Sequence, residues 1–158
     1  MAAPRRVAVE GAAYEADASA WALEQADHLR AGRWSQLDTV HLADEIEALA
    51  RSERRALTSA LQVILLHLLK WDHQPDRRTR SWVNSIRTQR LAVTEGLEDS
   101  PSLAPQLGEL VARAYRRARI DVAGETGLDE SVFPAECPYD PENIMTRPVP
   151  WSLVGGES

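Results

Sequence analysis

The sequence predicts an all-α fold, a helical bundle of about five helices with an extended, proline-rich C-terminal tail packed on it. Three observations carry this. Apolar residues recur at spacings of three and four through residues 17–127, the period of a helix with one buried face. No segment alternates apolar and polar residues as a half-buried strand does. Five of the nine prolines (Pro134, Pro138, Pro141, Pro148 and Pro150) fall after residue 128, where the helical pattern stops.

The elements follow in order. Residues 1–13 have no periodic pattern and read as a loose arm. From Asp17 a helical run begins, with Trp21, Leu23, Ala26 and Leu29 recurring, and Gly32 ends it. Asp38 and Thr39 are N-cap residues for the next stretch. From there to Asp72 there is neither proline nor glycine, so this stretch is one long helix or two with a break near Arg51–Arg55. Its halves differ. Leu42, Ile46 and Leu49 make a narrow stripe beside acidic Asp44 and Glu47. Leu57, Leu61, Ile64, Leu65, Leu68 and Leu69 cover more than half the circumference, which makes that half central.

Pro75 and Asp76 interrupt and restart the chain, and a run to Asp99 places Trp82, Val83, Ile86, Val93 and Leu97 on one face. Ser100-Pro101 opens a fifth run with Leu103, Leu107, Leu110, Val111, Ala114, Ala118 and Val122, terminated by Gly124 and Gly127. The bundle is thus expected over residues 14–127. Phe133, Tyr139, Ile144 and Trp151 punctuate the prolines of 128–151, so that segment is expected to lie extended over the bundle, with 152–158 a disordered end.

Composition narrows the function classes. A chain of 158 residues buries roughly 70% of the surface its unfolded form exposes, enough for one core without disulfide or metal. A net charge of −6 advertises neither a nucleic-acid nor a membrane partner. The single cysteine, Cys137, forms no intramolecular disulfide and suits a reducing compartment. No signal peptide is apparent in residues 1–13, and the apolar run Val63–Leu66 is far too short to span a bilayer. A cytoplasmic location, without membrane partner, is the expectation.

The densest functional cluster lies between His67 and Arg90. Residues 70–90 hold six basic side chains and two acidic ones, giving +4 against −6 for the chain. Within it His67, Lys70, Arg77, Arg78, Arg80 and Arg87 are candidates for binding an anion or an acidic partner, because the guanidinium fork donates two parallel hydrogen bonds to carboxylate or phosphate. Trp71 and Trp82 offer stacking surface that keeps nucleic acid open as a ligand, although both also fall on apolar faces that a core would use. Simple solvation of the arginines at a helix start, or their pairing to the acidic second helix, is the simpler reading of the same residues.

Two charges interrupt apolar stripes. Glu53 lies between Leu49 and Leu57, and Arg90 between Ile86 and Val93. Buried charge is strongly unfavourable unless paired, so Glu53 and Arg90, with Ser52 beside them, are expected to form a buried polar network. A helix break at Ser52 would instead make Glu53 a first-turn residue at the positive dipole end. Metal binding is a further candidate: His41 and Glu45 stand one turn apart, and His67, placed on a facing helix, would add a third ligand. No HExxH, GxSxG, phosphate-loop or dinucleotide pattern is present, and Cys137 sits in PAECPYDP, a setting that disfavours a thiolate. No cofactor is otherwise predicted.

Motifs in a fixed order add a resemblance. Tyr14-Glu15-x-Asp17, Trp34-x-x-Leu37-Asp38, Leu42-Ala43-x-Glu45-Ile46-Glu47 and Arg51-Ser52-Glu53-Arg54 are followed by His67-Leu68-Leu69-Lys70-Trp71, Arg80-Ser81-Trp82 and Ile86-x-x-Gln89-Arg90. Phe133-Pro134-x-x-Cys137-Pro138-Tyr139 closes the series. Over roughly residues 14–145 the chain resembles the bacterial family called domain of unknown function 29. The resemblance implies an all-helical domain and almost nothing about function. It also leaves two roles for the recurring polar residues, a shared pocket or a register-fixing network. The functional expectation is a non-catalytic binding or interaction module, taking an anionic ligand or acidic partner at the His67–Arg90 face. The alternatives are a metal-dependent enzyme at His41, Glu45 and His67, and a purely structural protein. A homodimer pairing the acidic and arginine-rich helices is a further possibility.

Overall fold

A computed structural model describes residues 14–151. All regular secondary structure among them is helical, with no strand. The chain forms two compact units, which part between Arg51 and Ser52. Residues 128–151 belong to the second unit.

The first unit is a helical hairpin. Helix α1 (Ala18–Arg30) starts where the Asp17 side chain accepts the Ala20 N–H at 2.9 Å. It ends at Gly32, whose φ of +69° lets the chain reverse. A 3₁₀ turn, Trp34–Gln36, leads to helix α2 (Thr39–His73). Asp38 caps that helix, its Oδ1 accepting the His41 N–H at 3.3 Å. Helix α2 is continuous over 35 residues, so of the two alternatives for this stretch the single long helix is the one that forms. With neither proline nor glycine present, nothing opens the hydrogen-bond ladder there.

The second unit takes the rest of α2. Leu57, Leu61, Ile64, Leu65, Leu68 and Leu69 are buried in one cluster with Ile86, Val93, Leu110, Ala114, Tyr115, Ala118 and Val122, as the wide apolar arc requires. Helix α3 (Arg80–Asp99) begins four residues later than expected. Pro75–Arg77 is a separate 3₁₀ turn, and Thr79 is the cap, its hydroxyl accepting the Trp82 N–H at 3.3 Å. The next run also divides, into a 3₁₀ segment Pro101–Gln106 and helix α4 (Leu107–Thr126). Pro105, which has no N–H to give, lies in the 3₁₀ part. Gly127, with φ +71°, ends α4, whereas Gly124 lies within it.

Residues 128–151, expected as an extended tail, are not extended throughout. They contain a 3₁₀ turn, Glu130–Val132, and a short helix α5 (Pro141–Thr146). Asp140 caps α5, its Oδ1 accepting the Asn143 N–H at 2.7 Å, and Pro141 occupies the first turn, where its fixed φ suits a helix start. Phe133 and Ile144 are 1% and 0% exposed and complete the core of the second unit together with Tyr139. Trp151 is exposed. The arm 1–13 and the end 152–158 lie outside the described residues.

Candidate functional site

The basic segment of the second unit divides into consumed and available charges. Lys70 is consumed: its Nζ pairs with Glu125 Oε2 at 2.9 Å and sits 4.7 Å from the Trp82 ring. So is Arg78, whose Nε donates to the Trp71 carbonyl at 2.9 Å while its guanidinium lies 4.5 Å from the Trp71 ring. His67 is half-buried and its Nδ1 donates to the Val63 carbonyl at 2.8 Å. Burial pushes its pKa below the usual imidazole value, outweighing the Val63 hydrogen bond, and Lys70 adds to the fall. Arg77, Arg80 and Arg87 are the available group. All three are exposed, and none has an acidic side chain within 4 Å among the described residues. Arg80 and Arg87 are two helical turns apart on α3 and share a face. Arg77 stands in the turn that precedes it.

The expected Glu53–Arg90–Ser52 network does not form. Ser52 and Glu53 are exposed, because Glu53 lies above the point where the broad apolar arc of α2 begins. Arg90 is half-buried but finds carbonyls instead of a carboxylate. Its Nε donates to Ile144 at 2.7 Å and its Nη2 to Arg147 at 2.9 Å. These are carbonyls at the end of α5, which have no partner within their own helix.

A second polar cluster holds the same region. Asp72 accepts the Tyr139 hydroxyl at 2.6 Å and hydrogen bonds from Nη1 and Nη2 of Arg147. Burial raises the Asp72 pKa, but the Arg147 and Tyr139 hydrogen bonds outweigh it and hold the carboxyl below the usual range. Burial, followed by the Asp72 hydrogen bond, drives the Tyr139 phenol far upward. Nearby, His73 packs edge-on against Phe133 with centroids 4.8 Å apart. The sequence reading missed this cluster, since its members are 67 and 75 residues apart.

The metal candidates are engaged separately. In the hairpin, His41 Nδ1 meets Asp38 Oδ2 at 2.6 Å and its ring stacks on Tyr14 at 3.9 Å. Glu45 accepts the Tyr14 hydroxyl at 2.7 Å. His67 belongs to the same helix as His41, so the expectation that it faces His41 from another helix is corrected. No group of three His, Cys, Asp or Glu side chains suited to a metal ion occurs among the described residues. Asp38 is instead the hub of the hairpin. It also accepts the Trp21 indole N–H at 3.1 Å, and its own backbone N–H donates to Gln25 Oε1 at 2.8 Å.

These polar residues lie inside one family profile: the profile named "Domain of unknown function DUF29" matches residues 13–148. The chain belongs to this family. No curated protein and no solved structure matches it. The DUF29 match spans both units and ends just past Arg147, so it takes in the Asp72–Tyr139–Arg147 cluster and the Arg90 contacts. No helix of the described residues is long and apolar enough to cross a membrane.

Proposed function

We propose that this DUF29 chain is a cytoplasmic, non-catalytic binding module that engages a carboxylate- or phosphate-bearing partner through Arg77, Arg80 and Arg87. The observation that carries the reading is selective pairing. Lys70, Arg78, Arg90 and Arg147 are taken up by internal contacts, while three arginines of the same segment stay exposed without an acidic neighbour among the described residues. Arg80 and Arg87 on one helix face, with Arg77 in the turn before it, can match successive anionic groups on an extended or helical partner.

The test is an NMR titration of the full chain with a hexaglutamate peptide and, separately, with inorganic pyrophosphate at low salt. Amide shifts concentrated at residues 77–90, lost on raising salt and absent in the Arg77→Gln, Arg80→Gln, Arg87→Gln variant, are expected. Unmoved amides with both probes would remove the proposal.

A second reading has its own support. The Arg90 and Asp72 contacts tie α5 to the rest of its unit, which fits a purely structural role for those residues. The two readings assign different side chains and are separated by the same variant, since losing Arg77, Arg80 and Arg87 leaves every internal contact in place.

A further inference from the structure

Exposed apolar side chains are concentrated in the hairpin. Six large ones (Leu23, Leu29, Trp34, Val40, Ile46 and Leu49) are exposed within residues 14–51, against four in the remaining described chain. Part of this surface is organised. A groove of about 260 Å³ runs between α1 and α2, lined by Ala18, Ala22, Ala26 and Leu29 on one side and Leu42 and Glu45 on the other. Ile46 and Leu49 extend the Leu42 row at i+4 and i+7 and are 67% and 65% exposed. Small residues on α1 allow close approach of a backbone, and larger ones on α2 supply knobs, the relief into which a third helix packs. Two helices alone leave such a face without cover.

The charge of the hairpin chooses among occupants. Residues 14–51 carry eight carboxylates and three arginines, with Glu45 in the groove wall. A second copy of the hairpin would bring the same negative charge to the contact. We infer that the α1–α2 groove is a docking site for an amphipathic helix of another protein, one whose apolar stripe is flanked by lysine or arginine. The apolar stripe fills the groove between Ala22 and Leu42, and the basic flanks meet the net negative charge of the hairpin, with Glu45 in the groove wall. The site is independent of the arginine face proposed above, and opposite in sign.

The probe is a labelled synthetic peptide of about 20 residues, leucine on one face and lysine beside it, with a twin carrying glutamate for lysine. Fluorescence anisotropy with the full chain is expected to show the lysine peptide binding at least about tenfold tighter than its twin. Ile46→Lys with Leu49→Lys should weaken it by at least about tenfold. These positions are exposed, so circular dichroism and Tm should stay unchanged. Ile120→Lys, at a residue exposed to 62% in the other unit, controls for general charge and should leave binding intact. Equal binding of the twins, or equal loss in the Ile120 control, would overturn the inference. Two other outcomes would also overturn it: a concentration-dependent dimer abolished by the Ile46/Leu49 change, and a tenfold gain on deleting residues 1–13. They would assign the groove to a second copy or to the chain's own arm.

Discussion

Arg90 donates to the carbonyl of Ile144 across 54 positions of sequence, at 2.7 Å. A second donation to the Arg147 carbonyl makes one guanidinium the external cap of α5. Helix carbonyls left without amide partners favour such a cation. Arg90→Met keeps the aliphatic stem and removes the donors. It is expected to destabilise by about 2 kcal/mol, the scale of hydrogen bonds to a charged group, read from urea unfolding. Glu53→Gln, at an exposed position, should stay within about 0.5 kcal/mol of the parent.

Acidification acts on Asp72. Its carboxyl ionises more readily in the folded chain than in the unfolded one, held down by Arg147 and Tyr139 against the opposing effect of burial. The folded state therefore gives up stability as pH falls from about 4 toward the lower folded value. Asp72→Asn should lower stability at neutral pH and flatten this acid limb, measured by thermal unfolding across pH. An unchanged limb would show that other carboxylates set it.

His67 acts in a higher window with the same direction. Its ring is harder to protonate when folded, chiefly through burial. Below about 6.5 the unfolded chain takes up the extra proton first, so stability drops as pH falls from there toward the lower folded value. His67→Asn, whose amide can still donate to Val63, should remove this slope. A retained slope would place its origin at another histidine.

Phe133 and Ile144 sit in the same cluster as the α2 leucines. Phe133→Ala should cost about 3–5 kcal/mol and Ile144→Ala about 2–5 kcal/mol, the scale also expected for Leu68→Ala. If the first two unfold separately from Leu68→Ala in denaturant, the C-terminal segment is an accessory cover instead of core.

What the sequence made legible follows physical range. The wide leucine arc of 57–69 announced a central helix, because periodicity is a local signal. Arg90 in an apolar stripe announced an unusual contact, but its partners are helix-end carbonyls and not the expected carboxylate. Helix-end carbonyls are strong acceptors with no mark in the sequence. Glu53 misled because its neighbours Leu49 and Leu57 belong to different units. Asp140-Pro141 did carry a helix-start signal, outweighed by the four other prolines around it. The Asp72–Tyr139–Arg147 contacts depend on tertiary closure alone. Among the arginines, only geometry separated Arg78, spent on Trp71, from Arg77 and Arg80 beside it.

The placement of Phe133, Tyr139 and Ile144 bears on how the chain is made. Synthesis delivers α2, α3 and α4 before the residues that close over them. The nascent helices must therefore wait, with greasy surface showing, until the capping segment leaves the ribosome. A message cut short after α4 would yield a polypeptide with most of its helices and no lid, a natural client for chaperones and proteases.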